Sequence, residues 1–316
     1  MSDAAAEPIR LGMLAWNQYT DWPALLAHVG RADQLGYDDL WTWDHLYPIV
    51  GSHEGPILEG WMLLAAWAAV TERARLGLMV GANPFRNPAL VAKMATTLDH
   101  VSNGRAILGI GAAWFATEHE AYGLEFGGSP GERLRWLDEA ARIMRGMLHG
   151  EEPSGERYYQ TRAVRNDPPP LQAHLPLLIG GGGERKTLRI VARYADMNNV
   201  GGGFENVKHK EEVLLRHCAE VGRDPAEIER TVGMGVVVIR DTEAEARRVN
   251  EALFAHNGGA RSWPNQHIGT PEQVAELFRP YLGIGYRHFI CGFPAPHDAE
   301  TLERLITQVK PMLEAD

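Results

Sequence analysis

The chain has 316 residues, of which 45% are hydrophobic and 23% are charged, a composition typical of a globular protein and unlike a disordered or fibrous one. Its formal net charge of −10 argues against binding to a nucleic-acid backbone, which requires a clustered basic surface. The N-terminal residues show no basic segment followed by an apolar run, and the most apolar stretch, residues 61–70, is about half a membrane span, so we expect a cytoplasmic protein without a membrane partner.

Short apolar or β-branched runs alternate with segments of helical periodicity along the whole chain. The first half predicts strands over residues 10–16, 37–43, 74–80 and 106–111, with helices over residues 22–35, 61–71 and from Pro88 to a stop at Asn103-Gly104. The second half predicts strands over residues 175–181, 196–200, 231–239 and 287–292, with helices over residues 184–194, 204–221, 242–256, 271–282 and 298–313. The chain therefore contains eight predicted strands in an alternating α/β pattern.

Eight buried parallel strands without hairpins predict a (β/α)₈ TIM barrel that forms one domain over residues 1–316. A doubly wound parallel sheet is the alternative, and the count of eight with a strand just before the terminal helix favours the barrel. Residues 151–174 are rich in charge and proline and lack a helical period, which predicts an insertion after strand four that is either a lid or a mobile connection. Residues 257–269 are a second irregular stretch and are expected at the rim.

Asp44 and His45 follow the second strand directly and are the only acid–histidine pair in such a position. In a TIM barrel the active site lies at the C-terminal ends of the strands. A histidine placed there exchanges a proton near neutral pH or binds a cofactor ring, and a neighbouring carboxylate anchors cofactor hydroxyls. Asp44 would equally serve as a cap for loop or helix amides. The pattern alone leaves both roles open.

Residues 180–188, GGGGERKTL, follow the fifth strand and open a helix. Glycines let the backbone approach a phosphate, the first helical amides direct partial positive charge towards it, and Arg185 and Lys186 add cationic donors. The segment matches neither a P-loop nor the dinucleotide fingerprint. It predicts a phosphate site, with a plain tight turn as the alternative.

Two further classes of site are not predicted. No GxSxG motif supports a hydrolase, and no spacing of histidines and acids suits a metal ion. Cys218 and Cys291 lie far apart, fit no zinc or thioredoxin pattern, and are expected to be buried thiols.

Three ordered motifs, residues 41–46 (WTWDHL), 76–114 and 177–199, resemble the luciferase-like monooxygenase family, and within it the F420-dependent oxidoreductases. The resemblance covers nearly the whole chain from Leu11. It implies a (β/α)₈ barrel with an insertion after strand four. It also implies a flavin-type cofactor, the deazaflavin coenzyme F420, with FMN as the alternative.

The resemblance also implies roles for individual residues around the deazaflavin ring. His45 would lie near the ring as proton donor or electrostatic partner, and Asp44 would contact the cofactor side chain. Met79 and Val80 match a bulge in strand three that often holds a non-prolyl cis peptide at the back of the ring. Asn83 would approach the ring edge. The end of strand four, from Gly111 to Thr117, would border the ring, and the phosphate would be surrounded by Gly181, Gly182, Gly183, Glu184, Arg185 and Lys186.

Trp114 occupies the position at which sugar-phosphate dehydrogenases of this family carry an acidic general base. Abstraction of a proton from a sugar hydroxyl is therefore not expected. An indole at this position favours an apolar or aromatic small molecule stacked over the ring, and Trp16 and Trp263 would complete the wall. Packing of the barrel mouth is the alternative role for these tryptophans.

The sequence thus predicts an F420-dependent oxidoreductase that transfers a hydride between reduced deazaflavin and an unsaturated or hydroxylated small organic substrate. His45 would supply or accept the accompanying proton, while the cofactor carries the redox chemistry. The alternatives are an FMNH₂-dependent monooxygenase of the same class and a non-catalytic flavin-binding barrel. The resemblance also allows a homodimer, although no sequence feature identifies an interface.

Overall fold

The computed structural model describes residues 8–259 and 265–315. Its strands, in chain order, are β1 (Arg10–Ala15), β2 (Asp39–Thr42), β3 (Arg75–Leu78), β4 (Gly81–Ala82), β5 (Ala106–Gly111), β6 (Leu177–Gly180), β7 (Met197–Val200), β8 (Glu229–Ile239), β9 (Gln266–Gly269) and β10 (His288–Phe293). Eight of them pair in parallel in the order β1-β2-β3-β5-β6-β7-β8-β10, and β10 returns to pair with β1. The sheet is closed, which confirms the predicted TIM barrel.

Helices cover the outside of the barrel, and polar side chains determine where most of them begin. They are α1 (Trp22–Leu35), α2 (Gly60–Ala68), α3 (Pro88–Val101), α4 (Ala116–Tyr122), α5 (Pro130–Leu148), α6 (Thr187–Tyr194), α7 (Phe204–Val221), α8 (Glu243–His256), α9 (Pro271–Leu282), α10 (Ala299–Arg304) and α11 (Lys310–Glu314). Asp21, Asn87 and Ser129 each accept a backbone N–H in the first turn of the helix that follows, and a proline lies within the next two positions in all three. In the described ranges, no helix has the length and apolar character needed to cross a membrane.

Helices α4 and α5 were not predicted, and two predicted boundaries were wrong. Part of the irregular stretch 257–269 is strand β9, which pairs in parallel with residues 236–239 because the eleven-residue strand β8 extends beyond the barrel. Helix α6 begins at Thr187 and not at residue 184, since Lys186 has a non-helical backbone and Gly181 has φ of 110°. Residues 181–186 therefore form a loop.

The barrel interior is filled with side chains. Trp41, Ile107, Leu178, Met197 and Ile290 form one buried cluster inside the sheet. Glycines on the neighbouring strands make room for the indole: a Cβ at Gly12 would lie 2.8 Å from Nε1 of Trp41. Cys218 and Cys291 are buried free thiols, as predicted.

The segment between α5 and β6 contains residues 151–174, and buried carboxylates hold it to the helices beneath. Glu139 of α5 accepts backbone N–H groups from Glu156, Arg157 and Tyr158 at 2.6, 3.0 and 2.8 Å. Asp99 of α3 accepts those of Leu171 and Gln172 at 2.8 and 3.0 Å. Backbone donors hold the pKa of Glu139 below its ordinary value, although burial acts in the opposite direction. The segment has no helix or strand, yet it is fastened at both ends.

The N-terminal ends of the strands meet in a charged cluster that seals the bottom of the barrel. Nε2 of His288 lies 2.5 Å from Oδ2 of Asp39, and its Nδ1 lies 2.7 Å from Oε1 of Glu229. Arg75 binds both carboxylates, at 2.5 Å to Asp39 and 3.4 Å to Glu229. We refer to Asp39, Arg75, Glu229 and His288 as the bottom cluster.

Candidate active site

A cleft of about 430 Å³ opens at the C-terminal ends of the strands. Seven of the predicted site residues line it, and they come from β2, β3, β5, β6 and the segments that follow these strands. They are Asp44, His45, Met79, Val80, Gly111, Trp114 and Gly181. The structure thus brings together side chains that are up to 137 positions apart in the sequence.

The floor of the cleft is formed by the segment that joins β3 to β4. The peptide bond between Met79 and Val80 is cis, as the family resemblance led us to expect. The side chain of Val80 fits between two strands that carry glycines at this level. A Cβ at Gly111 would lie 2.7 Å from Cγ2 of Val80, and one at Gly180 would lie 2.8 Å from its Cγ1. The absence of side chains at these glycines gives the floor an apolar surface.

His45 lies at one side of the cleft, partly exposed, with one ring nitrogen engaged. Its Nδ1 is 2.9 Å from Oε1 of Glu118, a carboxylate in the first turn of α4 that is 1% exposed. The other carboxylate oxygen accepts the backbone N–H of Leu46 at 2.9 Å. In the described part of the chain, Nε2 of His45 has no hydrogen-bond partner, so this nitrogen is available to a ligand.

Asp44 is buried beside the cleft and is paired with Arg86. Nη1 of Arg86 lies 2.7 and 3.0 Å from the two carboxylate oxygens, and the backbone N–H of Ala82 donates at 2.8 Å. Nη2 of the same guanidinium binds Glu59 at 2.9 Å. Burial raises the pKa of Asp44 to about 6, against the opposing effect of Arg86. Asp44 thus joins the ends of β2 and β4, and its predicted contact with a cofactor side chain remains a prediction.

Asn83 and Thr117 lie outside the lining. Asn83 is buried, and its Nδ2 donates to the hydroxyl of Tyr159 at 2.8 Å, while its Oδ1 has no partner among the described residues. Tyr159 belongs to the 151–174 segment, which therefore reaches the region behind the cleft. Thr117 is exposed at the start of α4. Contact of either residue with a cofactor remains a prediction.

The loop of residues 181–186 borders the cleft through Gly181 only. Gly182 lies against Lys210, whose aliphatic chain would be 3.3 Å from a Cβ there. Lys210 and His209 of α7 bind the carboxylate of Glu184 at 2.5 and 3.2 Å. Gly183, Arg185 and Lys186 are exposed, and Nζ of Lys186 donates to the carbonyl of Gly131 at 3.2 Å. Their role in binding a phosphate remains a prediction.

Trp114 and Trp16 differ in their access to the cleft. The Trp114 side chain is 62% exposed and its ring centroid lies 5.6 Å from that of His45. Trp16 is 1% exposed and packs against Trp43 at 4.9 Å. Within the described residues, Trp43 lines the cleft and Trp16 does not. The predicted position of Trp16 in the wall was therefore wrong, because its indole lies behind that of Trp43. Trp263 lies outside the described residues.

The family profile described as luciferase-like monooxygenase matches residues 9–267. The chain belongs to this family. Among its curated relatives are F420-dependent glucose-6-phosphate dehydrogenases from Amycolatopsis mediterranei and Intrasporangium calvum. They are 27% and 29% identical and cover 90% and 92% of this chain, with 91% and 94% of their own lengths matched.

Another relative, an uncharacterised protein of Mycobacterium tuberculosis, is 35% identical over 144 residues. That match covers 44% of this chain and spans about half of the relative, 48% of its length. It concerns one part of the sequence and leaves the activity of the whole protein to be argued from the site.

Solved structures share the barrel across the luciferase-like family. An F420-dependent secondary alcohol dehydrogenase in complex with an F420-acetone adduct superposes with a TM-score of 0.82 at 19% identity, over 97% of this chain and 99% of that chain. The coenzyme F420-dependent tetrahydromethanopterin reductase of Methanopyrus kandleri gives 0.79 at 19% identity, over 97% and 100%. At these identities the likeness shows the fold alone.

Four residues of the candidate site were missed from the sequence: Glu118, Arg86, Tyr159 and Trp43. Trp43 is the last residue of the predicted second strand, and its position two residues before His45 was the signal that could have identified it. Glu118 lies four positions after Trp114, in the first turn of the helix that follows the fourth barrel strand. For Arg86 and Tyr159 the sequence offers no comparable signal, because their partners lie 42 and 76 residues away.

Proposed function

We propose that this chain is a cytoplasmic F420-dependent oxidoreductase that exchanges a hydride between the deazaflavin and an unsaturated or hydroxylated small organic substrate. The observation that carries the proposal is the position of His45 in the cleft, with Nδ1 held by Glu118 and Nε2 available. The names of the relatives that match over about nine-tenths of the chain support the choice of F420 over FMN.

The cleft fits a planar ring with a polar side chain. Its volume of about 430 Å³ lies within the range of ligand pockets, which are lined mostly by apolar groups with a few polar ones. Val80 with Gly111 and Gly180 offers an apolar surface for a ring face. His45 supplies a polar group at its side, and the exposed cations Arg185 and Lys186 lie in the loop that borders the cleft through Gly181. These residues would hold the deazaflavin, which supplies hydride exchange at C5 of its ring when bound.

The chain itself would contribute a proton and an oriented pocket. His45 would give or take a proton at Nε2, since a positioned histidine serves as general acid or base. Trp43 and Trp114 would cover the substrate and exclude water from the reacting atoms. Arg86 and Asp44 would hold β4 and the end of β2 together beside the cleft.

We further propose an apolar or aromatic substrate. Trp114 presents an exposed indole next to His45, and Trp43 and Ile49 also line the cleft. The carboxylate of Glu118 is buried, and both of its oxygens accept hydrogen bonds. Sugar-phosphate chemistry would need an accessible carboxylate near the ring, which neither Trp114 nor Glu118 provides.

Binding of F420 and FMN to the purified protein tests the cofactor assignment. Fluorescence titration should give saturable binding of F420 and much weaker binding of FMN. Oxidation of reduced F420 should then be followed at its absorbance band with aromatic enones, imines and ketones, and with glucose-6-phosphate as the comparison substrate. Tight FMN binding without F420 binding would support the FMNH₂-dependent monooxygenase instead. Binding of F420 without turnover on any substrate would support the non-catalytic barrel.

We also propose that two copies of the chain associate through α2 and α3. These neighbouring helices expose Met62 (72%), Leu90 and Val101, Val70 is exposed just after α2, and residues 60–70 contain no charged side chain. An exposed apolar area of this kind is typical of an interaction surface. Sedimentation should show a dimer for the wild type and a monomer for Met62→Glu. The matched control, Leu277→Glu on exposed helix α9, should remain dimeric, and a monomeric wild type would overturn the proposal.

A further inference from the structure

Glu118 is a buried carboxylate held by two neighbouring residues. Oε1 and Oε2 lie 2.9 and 3.2 Å from Nδ1 of His45, and Oε2 also accepts the backbone N–H of Leu46 at 2.9 Å. The bond from Leu46 stops the carboxylate from turning away from the histidine. Because Leu46 directly follows His45, the carboxylate is fixed to the same short segment whose ring it contacts.

The chemistry of the pair determines which ring nitrogen carries hydrogen. An ionised carboxylate only accepts hydrogen bonds, so Nδ1 of His45 must carry the hydrogen between them. In the neutral ring Nε2 is then a bare acceptor, and the buried carboxylate stabilises the cation formed when Nε2 gains a proton. Residues 8–259 and 265–315 offer the His45 ring no other hydrogen-bond partner.

The remaining contacts of the ring are aromatic and do not select a tautomer. Trp114, Phe115 and Trp43 meet the imidazole edge-on, with centroids at 5.6, 6.1 and 6.5 Å. They limit tilting of the ring, while Glu118 alone distinguishes Nδ1 from Nε2. The assignment of hydrogen therefore depends on one residue.

We infer that Glu118 is the positioning residue that fixes the Nδ1–H tautomer of His45 and directs proton transfer to Nε2. The inference rests on the proposed function in that His45 is taken as the proton-transferring residue. The carboxylate lies four positions after Trp114, in the first turn of α4. It borders the cleft, but it is 1% exposed and its oxygens are engaged by His45 and Leu46.

Nitrogen NMR of the F420-saturated protein labelled with ¹⁵N-histidine tests this inference directly. At a pH where the ring is neutral, the wild type should show His45 with a protonated Nδ1 and a bare Nε2, with His45→Gln used to assign the signals. Glu118→Gln should invert the pattern, because its amide nitrogen can donate to Nδ1 and thereby favours Nε2–H. Glu120→Gln, an exposed acid on the same helix, should leave the pattern unchanged.

Two results would overturn the inference: an Nε2–H tautomer in the wild type, or an unchanged tautomer in Glu118→Gln. The wild-type measurement needs no variant, so it decides the question even where Glu118→Gln fails to fold. The same spectrum recorded without cofactor separates this inference from the proposed function. A missing response to F420 with an Nδ1–H tautomer would reject the cofactor assignment and retain the role of Glu118.

Discussion

Strand β2 has a histidine and carboxylates at each of its two ends, and the two groups differ in one respect. At the bottom, His288 meets Asp39 and Glu229 through both ring nitrogens and is 3% exposed. At the mouth, His45 meets Glu118 through Nδ1 only and faces the cleft. A histidine with both nitrogens engaged has no position left for a ligand, whereas one with a single nitrogen engaged is oriented and still reactive.

The charges at the two ends are balanced differently. At the bottom, burial lowers the pKa of His288, but Asp39 and Glu229 outweigh it and raise the value to about 9. The pKa of Glu229 is lowered to about 2, since His288 and Arg75 outweigh its burial. At the mouth, burial prevails over Arg86 and raises the pKa of Asp44 to about 6. The bottom cluster stabilises the charged forms of its residues, whereas burial at the mouth destabilises the ionised form of Asp44. Such a perturbed group is expected where the C-terminal face of a barrel carries the function.

Replacing His45 with Ala should give the largest effect on activity. Loss of the proton-transferring group should lower kcat on the order of 10²- to 10⁴-fold, while the free energy of unfolding changes little because the ring is partly exposed. Steady-state kinetics and chemical denaturation measure the two quantities. Unchanged turnover in the folded variant would remove His45 from the mechanism.

Replacing His288 with Ala should have the opposite result. Asp39 would keep Arg75 but lose its second partner in a buried site, and unfolding free energy should fall by about 3–5 kcal/mol. Turnover per folded molecule should match the wild type. If this variant lost activity as His45→Ala does, the two ends of β2 would not be separate in function.

The contribution of the bottom cluster should be visible in the pH dependence of the free energy of unfolding, a measurement that does not require an activity assay. The pKa of His288 is raised from 6.5 to about 9, so its contribution is fully present below pH 6.5 and is lost as pH rises through about 9. The decrease should be about 3 kcal/mol. Denaturation curves of the wild type across this range should show it, and those of His288→Ala should not show it.

Adding a methyl group at Gly111 tests the floor of the cleft. The new Cβ would lie 2.7 Å from Cγ2 of Val80, and displacement of that side chain should weaken F420 binding about tenfold, or about 1.4 kcal/mol. Gly30→Ala on α1 is the matched control, because its methyl group meets nothing within 4 Å. Adding Val80→Ala should restore binding, and equal affinity of wild type and Gly111→Ala would show that Val80 is not part of the floor.

The fold was predictable because its main determinants are local. Apolar runs and signals such as Pro88 and Asn103-Gly104 identified the eight barrel strands and most of the helices, since strand and helix periodicity can be read from consecutive residues. Helices α4 and α5 were not predicted. Strand β9 was missed because its four residues follow a glycine-rich stretch and pair only with an extension of β8. The start of α6 was misplaced because four glycines precede it and leave the boundary without a capping side chain.

The candidate site was predictable in its position and only partly in its contacts. The strand-end rule placed Asp44, His45 and Trp114 at the mouth, and the structure confirms that these three residues line the cleft. Glu118 and Arg86 were missed because each meets its partner through tertiary packing, and the periodicity of a sequence does not predict such contacts. Trp16 was predicted in the cleft wall but is buried behind Trp43, since an aromatic residue at a strand end can equally pack against a neighbouring indole.

The fastened segment over residues 151–174 limits how often the molecule can open there. Hydrogen bonds to charged groups contribute about 1.5–3 kcal/mol each, and five backbone donors of the segment bind Asp99 and Glu139. Releasing even three of them would cost about 5 kcal/mol or more. Fewer than roughly one molecule in a thousand would then be open at this segment at any moment. The segment should therefore stay closed against α3 and α5 while substrate and product exchange through the cleft, whose lining includes none of its residues.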